Sequence, residues 1–295
     1  MLTILPDLGS LRSRAGQRAH VLLHQHPGAW RAARRTREFV LQRLPPVEIP
    51  GHGRFDRNDF MLRAYGTTPE CIEAYLGTAR ATVDAITRLA RQAGADVEGG
   101  RWLEIGAGYG RLLRVLVDDV SRERLTAVEL EPSAVRFCTT ELGVTTLRSN
   151  AAFEVDLAET FDVVFAISVI THVDWEGSLR FLRLGCRSLA PGGAFVFSTH
   201  GQRALDELEQ NNPGSFGGVR AEIEAAWSGP GFFYSPYGFT RGEYGVTWHR
   251  ADVVERMLAE VDPEVQVVAH EPAGLLRYQD LWVVTRPANR GATAP

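Results

Sequence analysis

An open, mostly parallel, doubly wound α/β sheet is the fold this sequence predicts, and three observations predict it. From Arg101 onward, short apolar runs alternate with segments of helical period. Runs such as "FDVVFAI" and "AFVFS" have no polar face, as strands covered on both sides have none. A glycine-rich turn, "GAGYG", joins the first run to the helix after it, at the junction where an open α/β sheet presents its ligand site. Repeated βα units of this kind give a parallel sheet with helices on both faces.

Ahead of that region, residues 17–43 carry Val21, Leu22, Trp30, Phe39 and Val40 among arginines, with Leu44 just beyond. The spacing predicts one or two amphipathic helices broken near "HQHPG". "LPPVEIPGHG", residues 44–53, reads as a Pro/Gly-rich connector. A long helix is expected after Thr68, which can cap it, with Pro69 at its first position. Ile72, Leu76, Ala79, Val83, Ile86 and Ala90 fall on one face, and Gly94 closes the helix. Strands are expected at 102–105, 125–129, 145–148, 161–167 and 194–199, and helices at 111–117, 132–142 and 175–189. Residues 213–245 are rich in Gly and aromatics and read as an insertion over one end of the sheet. A last helix near 251–261 and an antiparallel pair of strands, 265–269 and 278–285, follow. The organisation expected is a helical extension and connector (1–68), a main domain (69–286) with the insertion at 213–245, and a disordered tail (287–295).

A chain of 295 residues, 44% hydrophobic, can bury one large core. No apolar run reaches the length of a membrane span, and the first residues lack the basic-then-apolar pattern of a secretory leader. Cys71, Cys138 and Cys186 are odd in number, scattered and match no metal spacing, which suits a reducing compartment. A cytoplasmic protein is expected. All 32 basic side chains are arginine, as codon bias in a GC-rich genome would produce. Net charge is −4, unevenly spread: residues 1–43 hold eight arginines against Asp7 and Glu38, a balance of +6 that leaves −10 for the remainder. Such an arm can touch nucleic acid or membrane headgroups, or be a solvated helical face against an acidic body; the second reading is preferred.

The glycine turn narrows the ligand. A dinucleotide fingerprint needs G-x-G-x-x-G, but Gly106, Gly108 and Gly110 give G-x-G-x-G, with Arg111 where the last glycine should stand. No G-K-[ST] follows, so it is not a phosphate loop either. Glu104, just before the turn, would repel a pyrophosphate but could fix a cationic or hydroxyl-rich ligand, directly or through water.

Here the chain resembles the class I S-adenosylmethionine-dependent methyltransferases, with their Rossmann-like sheet of seven strands, one antiparallel. "LEIGAGYGR" resembles their first motif and "AVELEPS" the second, in which an acid ends the second strand. "FDVVFAISVITHV" resembles the fourth-strand motif, and "LAPGGAFVFSTHG" the turn and fifth strand. The match spans residues 101–200, in order and spacing. "VTWH" and "RYQDLWVV" resemble the late segments of one bacterial branch. The resemblance implies S-adenosylmethionine as cofactor and a site built from Glu104, Gly106, Ala107, Gly108, Gly110, Glu129, Leu130, Asn150, Ala151, Ile167 and Ser168. Glu129 would accept from both ribose hydroxyls, Leu130 would pack on the adenine, and carbonyls of 166–168 would meet the ligand's amino group. Asn150 departs from the acid often found near the adenine amino group, though its carbonyl oxygen can still accept. Arg63 or Arg111 would meet the ligand carboxylate, or form an ion pair of purely structural use.

Methyl transfer is an in-line displacement, in which the protein aligns the acceptor and excludes water; a base matters only when the nucleophile must lose a proton. His172, after the fourth strand, is the first candidate for that base, and His200, after the fifth, the second. The alternative for His172 is a loop anchor. Asp174 reads as the cap of the helix after it. His249 either joins the acceptor pocket or precedes the last helix as a cap. Tyr234, Tyr237 and Tyr244, with Phe232 and Phe233, would form an aromatic acceptor wall or the insertion's own small core. A metal-independent reaction on a small-molecule or sugar acceptor is expected, at O or N rather than C. The N-terminal helices would lid the cleft or serve a homodimer. The other readings are a protein that binds S-adenosylmethionine without methylating, a nucleic-acid methyltransferase led by the basic arm, and, last, a nicotinamide dehydrogenase. The acidic body and the absence of an N/D-P-P-[YF] motif after the fourth strand count against nucleic acid.

Overall fold

The computed structural model describes residues 44–208, 220–237 and 244–288, with a few single positions ahead of residue 44. The expected amphipathic helices of 17–43 and their break lie outside the described residues, as do the middle of the expected insertion and most of the tail. No helix among the described residues is long and apolar enough to cross a membrane.

The first elements differ from expectation. The Pro/Gly-rich segment is a small antiparallel hairpin, β1 (Val47–Ile49) and β2 (Gly53–Phe55). Gly51 and Gly53 supply the positive φ of its turn, and His52 N–H closes it on the Ile49 carbonyl. Val47, Ile49 and Phe55 give the hairpin an apolar face that packs on Leu62, Ile72 and Tyr75. Helix α1 (Phe60–Tyr65) was not foreseen; Asp59 caps it, accepting from Leu62 N–H. Helix α2 (Pro69–Gln92) forms as expected, with Thr68 capping and Gly94 in the left-handed region just after its end. Its apolar stripe, from Ile72 to Ala90, is buried except for the partly buried Leu76.

Then the alternation begins: β3 (Trp102–Ile105), α3 (Arg111–Leu116), β4 (Leu125–Glu129), α4 (Pro132–Glu141), β5 (Thr145–Arg148), β6 (Phe161–Ala166), α5 (Trp175–Arg187) and β7 (Leu189–Thr199). The three helices end one or two residues before the expected positions. Strand β7 starts five residues earlier than expected, because Leu189 pairs with Phe161 across an irregularity that takes up "PGG". Short α6 (Gln202–Asp206), α7 (Arg220–Ser228) and a second hairpin, β8 (Phe232–Pro236) with β9 (Gly245–His249), follow. The described part of the expected insertion is therefore α7, β8 and the first residue of β9. Helix α8 (Ala251–Val261) leads into the last pair, β10 (Gln266–Leu275) and β11 (Gln279–Thr285). Strand β10 runs six residues past its expected end, its irregular stretch absorbed by a register shift between Glu271 and Leu275.

The main sheet has seven strands in the order β10-β11-β7-β6-β3-β4-β5. All run parallel except β11, which is antiparallel to both β10 and β7. One face is covered by α2, α3 and α4, around Val83, Ile86, Leu113, Leu116 and Cys138. The other is covered by α5 and α8, around Leu179, Phe181, Leu182, Val253 and Met257. Strand order reverses between β3 and β6. The carboxyl ends of these two strands therefore open the crevice in which such sheets bind ligands.

Candidate functional site

At the end of β3 the backbone turns through three glycines of positive φ: Gly106 (78°), Gly108 (54°) and Gly110 (74°). They are glycine for different reasons. A Cβ on Gly106 would lie 2.5 Å from Val169 Cγ2, and one on Gly110 would lie 2.3 Å from Leu142 Cδ1. Among the described residues, a Cβ on Gly108 would meet nothing within 4 Å. Packing thus demands the outer glycines, while the middle one borders open space that a side chain would fill.

Glu129, the last residue of β4, holds this turn. Its Oε2 accepts from Gly108 N–H (2.7 Å), and its Oε1 accepts from Leu130 N–H (2.7 Å) and Glu131 N–H (2.9 Å). Gly106 N–H donates to the Val128 carbonyl (2.8 Å), and the Cys138 thiol donates weakly to the Gly108 carbonyl. A carboxylate offers about four acceptor directions. Among the described residues three are used, and the one left is on Oε2. Leu130, next in sequence, is half exposed.

Glu104 lies beneath the turn, buried, and its Oε2 has no partner among the described residues. Burial pushes its carboxyl up to about 8; the Arg111 guanidinium opposes that shift and Glu129 adds to it. Arg111 is placed by α2: it donates to Thr78 Oγ1 (3.3 Å) and lies over the Tyr75 ring. The Tyr75 hydroxyl donates to Asp59 Oδ2 (2.6 Å), and Arg114 stacks on Phe55 while donating to the His52 and Arg54 carbonyls. The β1–β2 hairpin, α1 and α2 are therefore fastened to the glycine turn from one side. Arg63 donates to the Arg57 carbonyl within this N-terminal group.

Asn150 and Ala151 follow β5 at the same rim, both exposed. The Asn150 carbonyl oxygen already accepts from Ala152 N–H (2.9 Å) and Glu154 N–H (3.1 Å), and its amide donates to Glu154. Its role visible here is to shape its own loop.

Across the crevice, β6 ends at Ala166 and the chain passes through Ile167 to Ser168, whose φ is 59°. Ser168 N–H donates to Ser198 Oγ (2.8 Å). The chain then makes one 3-10 turn, Ile170–His172. His172 is buried; its Nδ1 donates to the Gly245 carbonyl (2.8 Å), which leaves Nε2 as the acceptor nitrogen. Burial lowers its pKa, so the ring is neutral near pH 7. Tyr244 stacks on it with centroids 4.7 Å apart, and the Tyr237 ring lies 6.2 Å away. Asp174 caps α5 by accepting from Gly177 N–H, as expected.

The other two histidines are engaged differently. His200 donates from Nδ1 to the Thr247 carbonyl (3.1 Å), and its Nε2 faces the Gln279 amide nitrogen (3.3 Å). Burial depresses its pKa to about 3. His249 does not cap α8, since Arg250 occupies the cap position. It ends β9, is 1% exposed, and its Nε2 meets Ser178 Oγ (3.1 Å) on α5. The aromatics divide. Phe233 and Tyr237 join a small core with Ile223 and Trp248, while Phe232 packs into the main core beside Trp175. Tyr244 is 45% exposed, and Tyr234 is only partly covered.

Three residues escaped the sequence reading. Ser198 by its hydroxyl, Gln279 by its amide and Thr247 by its backbone carbonyl all reach the Ser168 and His200 cluster. "VTWH" and "RYQDLWVV" contain two of them, but nothing in their spacing shows which rim of the sheet they join.

The fold, the switch point and the acid-gripped glycine turn define an α/β ligand-binding site of the methyltransferase kind. A family model described as a methyltransferase domain matches residues 78–231, and the chain belongs to that family, whose members use S-adenosylmethionine as methyl donor. Among solved structures, the glycopeptide N-methyltransferase MtfA is similar at 18% identity, covering 75% of this chain and 99% of its own, with a TM-score of 0.48. The CcbJ methyltransferase from Streptomyces caelestis is similar at 14% identity, 70% and 90% coverage and a TM-score of 0.46. The magnesium protoporphyrin IX methyltransferase ChlM from Synechocystis PCC 6803 is similar at 12% identity, 73% and 87% coverage and a TM-score of 0.49. No curated protein matches the sequence.

Proposed function

We propose that the protein methylates an oxygen or nitrogen of a small-molecule or sugar acceptor, with His172 as the base that takes the acceptor's proton. One observation carries this reading. The imidazole is neutral, pinned through Nδ1 to a backbone carbonyl, braced by Tyr244, and keeps Nε2 as acceptor beside the strand switch point.

The residues present fit S-adenosylmethionine. The space over Gly108 admits a ligand against the backbone. The free acceptor direction on Glu129 Oε2 suits a ribose hydroxyl, and half-exposed Leu130 offers an apolar face beside it. Glu104 Oε2, unpartnered among the described residues and protonated at neutral pH, can donate to or accept from the ligand, directly or through water. Gly106, Ala107 and Gly110 shape the turn; Ile167 and Ser168 form the opposite lip, and Ala151 the outer rim. When bound, the cofactor supplies a methyl group on a sulfonium, an excellent leaving group. The chain's own work is to orient the acceptor, exclude water and accept a proton at His172 Nε2. Tyr234, Tyr237 and Tyr244 flank the acceptor side. His200 and His249, both neutral and bonded to neighbours, serve structure. Free Cys71, Cys138 and Cys186 favour a cytoplasmic setting.

Calorimetric titration with S-adenosylmethionine, S-adenosylhomocysteine and NADH tests the cofactor, and an acceptor screen with S-adenosylhomocysteine release as readout tests the rest. Binding of both sulfur ligands and not NADH, with turnover on a hydroxyl or amine acceptor, is expected. Tight binding with no turnover on any acceptor class would favour a non-methylating binder instead.

A further inference from the structure

We infer that Gln279 is a positioning residue of this site: it ties Ser168, on the lip after β6, to His200, and so fixes both the shape of that lip and the proton state of that imidazole. The inference rests on the functional reading above, and extends it to a residue which that reading does not use.

Gln279 is the first residue of β11 and is buried. Its amide nitrogen lies 3.0 Å from Ser168 Oγ and 3.3 Å from His200 Nε2, and its amide oxygen lies 3.1 Å from the same Ser168 Oγ. The hydrogen positions follow from the network. His200 Nδ1 faces the Thr247 carbonyl and must carry the proton. His200 Nε2 is then a lone pair, and only a donor can sit opposite it. The Gln279 amide must therefore turn its NH2 group toward His200 Nε2. The Ser168 hydroxyl is tied to the amide in either orientation, but reversing it would set an oxygen against the His200 lone pair. Ser168 needs such a tether. A non-glycine residue at φ 59° is strained, and it is held by its N–H on Ser198 Oγ and its hydroxyl on Gln279. With its Nε2 lone pair engaged, His200 is unavailable as a base, which leaves that role to His172.

The test uses the full chain with labelled imidazole nitrogens, comparing wild type with Gln279→Ala and the near-isosteric Gln279→Glu. In wild type, His200 should show the Nδ1–H tautomer. In Gln279→Glu, a carboxyl faces Nε2 in place of the amide donor, and whether the proton sits on the carboxyl or on the imidazole, the His200 Nε2 signal should leave its wild-type position at neutral pH. In Gln279→Ala, release of Ser168 should weaken S-adenosylhomocysteine binding by about tenfold, the usual loss for a buried hydrogen bond. An Nε2–H tautomer in wild type, an unaltered His200 signature in Gln279→Glu, or an affinity within twofold of wild type in Gln279→Ala would overturn the inference. Failure of wild type itself to bind S-adenosylhomocysteine would instead refute the functional reading, while the tautomer measurement would still decide the role of Gln279.

Discussion

Replacing Glu129 with Gln should weaken S-adenosylhomocysteine binding by about 2–3 kcal/mol, and the structure says why. The carboxylate accepts two N–H groups on Oε1 and one on Oε2. An amide has one oxygen, and that oxygen will satisfy the larger set, Leu130 and Glu131. The NH2 group must then face Gly108 N–H, donor against donor. One hydrogen bond to a charged group is lost there, at about 1.5–3 kcal/mol, together with the acceptor direction left for a ribose hydroxyl. The figure of 2–3 kcal/mol corresponds to a loss in affinity of roughly 30- to 150-fold. Calorimetry with S-adenosylhomocysteine reads the loss. Hydrogen exchange at the Gly108 amide, faster in the variant, places it at the turn. Affinity within twofold of wild type, with Gly108 exchange unchanged, would refute the assignment of Glu129 as the clasp of the turn.

The glycines should separate by function. Gly108→Val, strained at φ 54° but meeting no described side chain, should abolish cofactor binding while circular dichroism stays native, whereas Gly110→Ala, driven into Leu142 and Cys138, should lower thermal stability more than Gly108→Ala does. Glu104 should give the fold a pH slope. Its folded pKa is raised by burial from the usual 4.5 to about 8, so the native state holds the proton more tightly than the unfolded chain. Its contribution is complete below pH about 4.5 and is lost as pH rises through about 8. Melting temperatures across that window should fall less steeply in Glu104→Gln, and parallel curves would contradict the burial argument. His172→Ala should cut turnover by 10²–10⁴-fold with little change in S-adenosylhomocysteine affinity, the size expected for removing a general base. Equal turnover would return His172 to anchoring its loop.

The strands, the switch point and the glycine turn were legible because each leaves a local signal. Unbroken apolar runs mark strands buried on both faces, and Thr68 before Pro69 marks a helix start. The position of Glu129 was legible from motif order, but not its grip on three backbone N–H groups, which depends on how the chain turns after β4. The β1–β2 hairpin hid within proline and glycine, where composition suggests a connector and only packing on Tyr75 makes a ribbon. His249 was placed next to a helix start by sequence, yet its neighbours come from α5, 71 residues away in the chain. Such long-range contacts leave no spacing to read.

The antiparallel strand explains why the last part of the chain takes part in a site that begins 170 residues earlier. Parallel strands bring only their carboxyl ends to the ligand rim, so each must be followed by a loop that supplies chemistry. Strand β11 runs the other way, pairing Asp280 with Thr199 at the end of β7. Its first residues therefore arrive at the rim already fixed in a ladder of backbone hydrogen bonds. Gln279 gains from this a rigidity that a loop residue lacks, and rigidity is what a tether for a left-handed serine requires. A tether on a loop would follow the lip it is meant to hold. Placed at the head of a strand between two others, it makes Ser168 conform to the sheet.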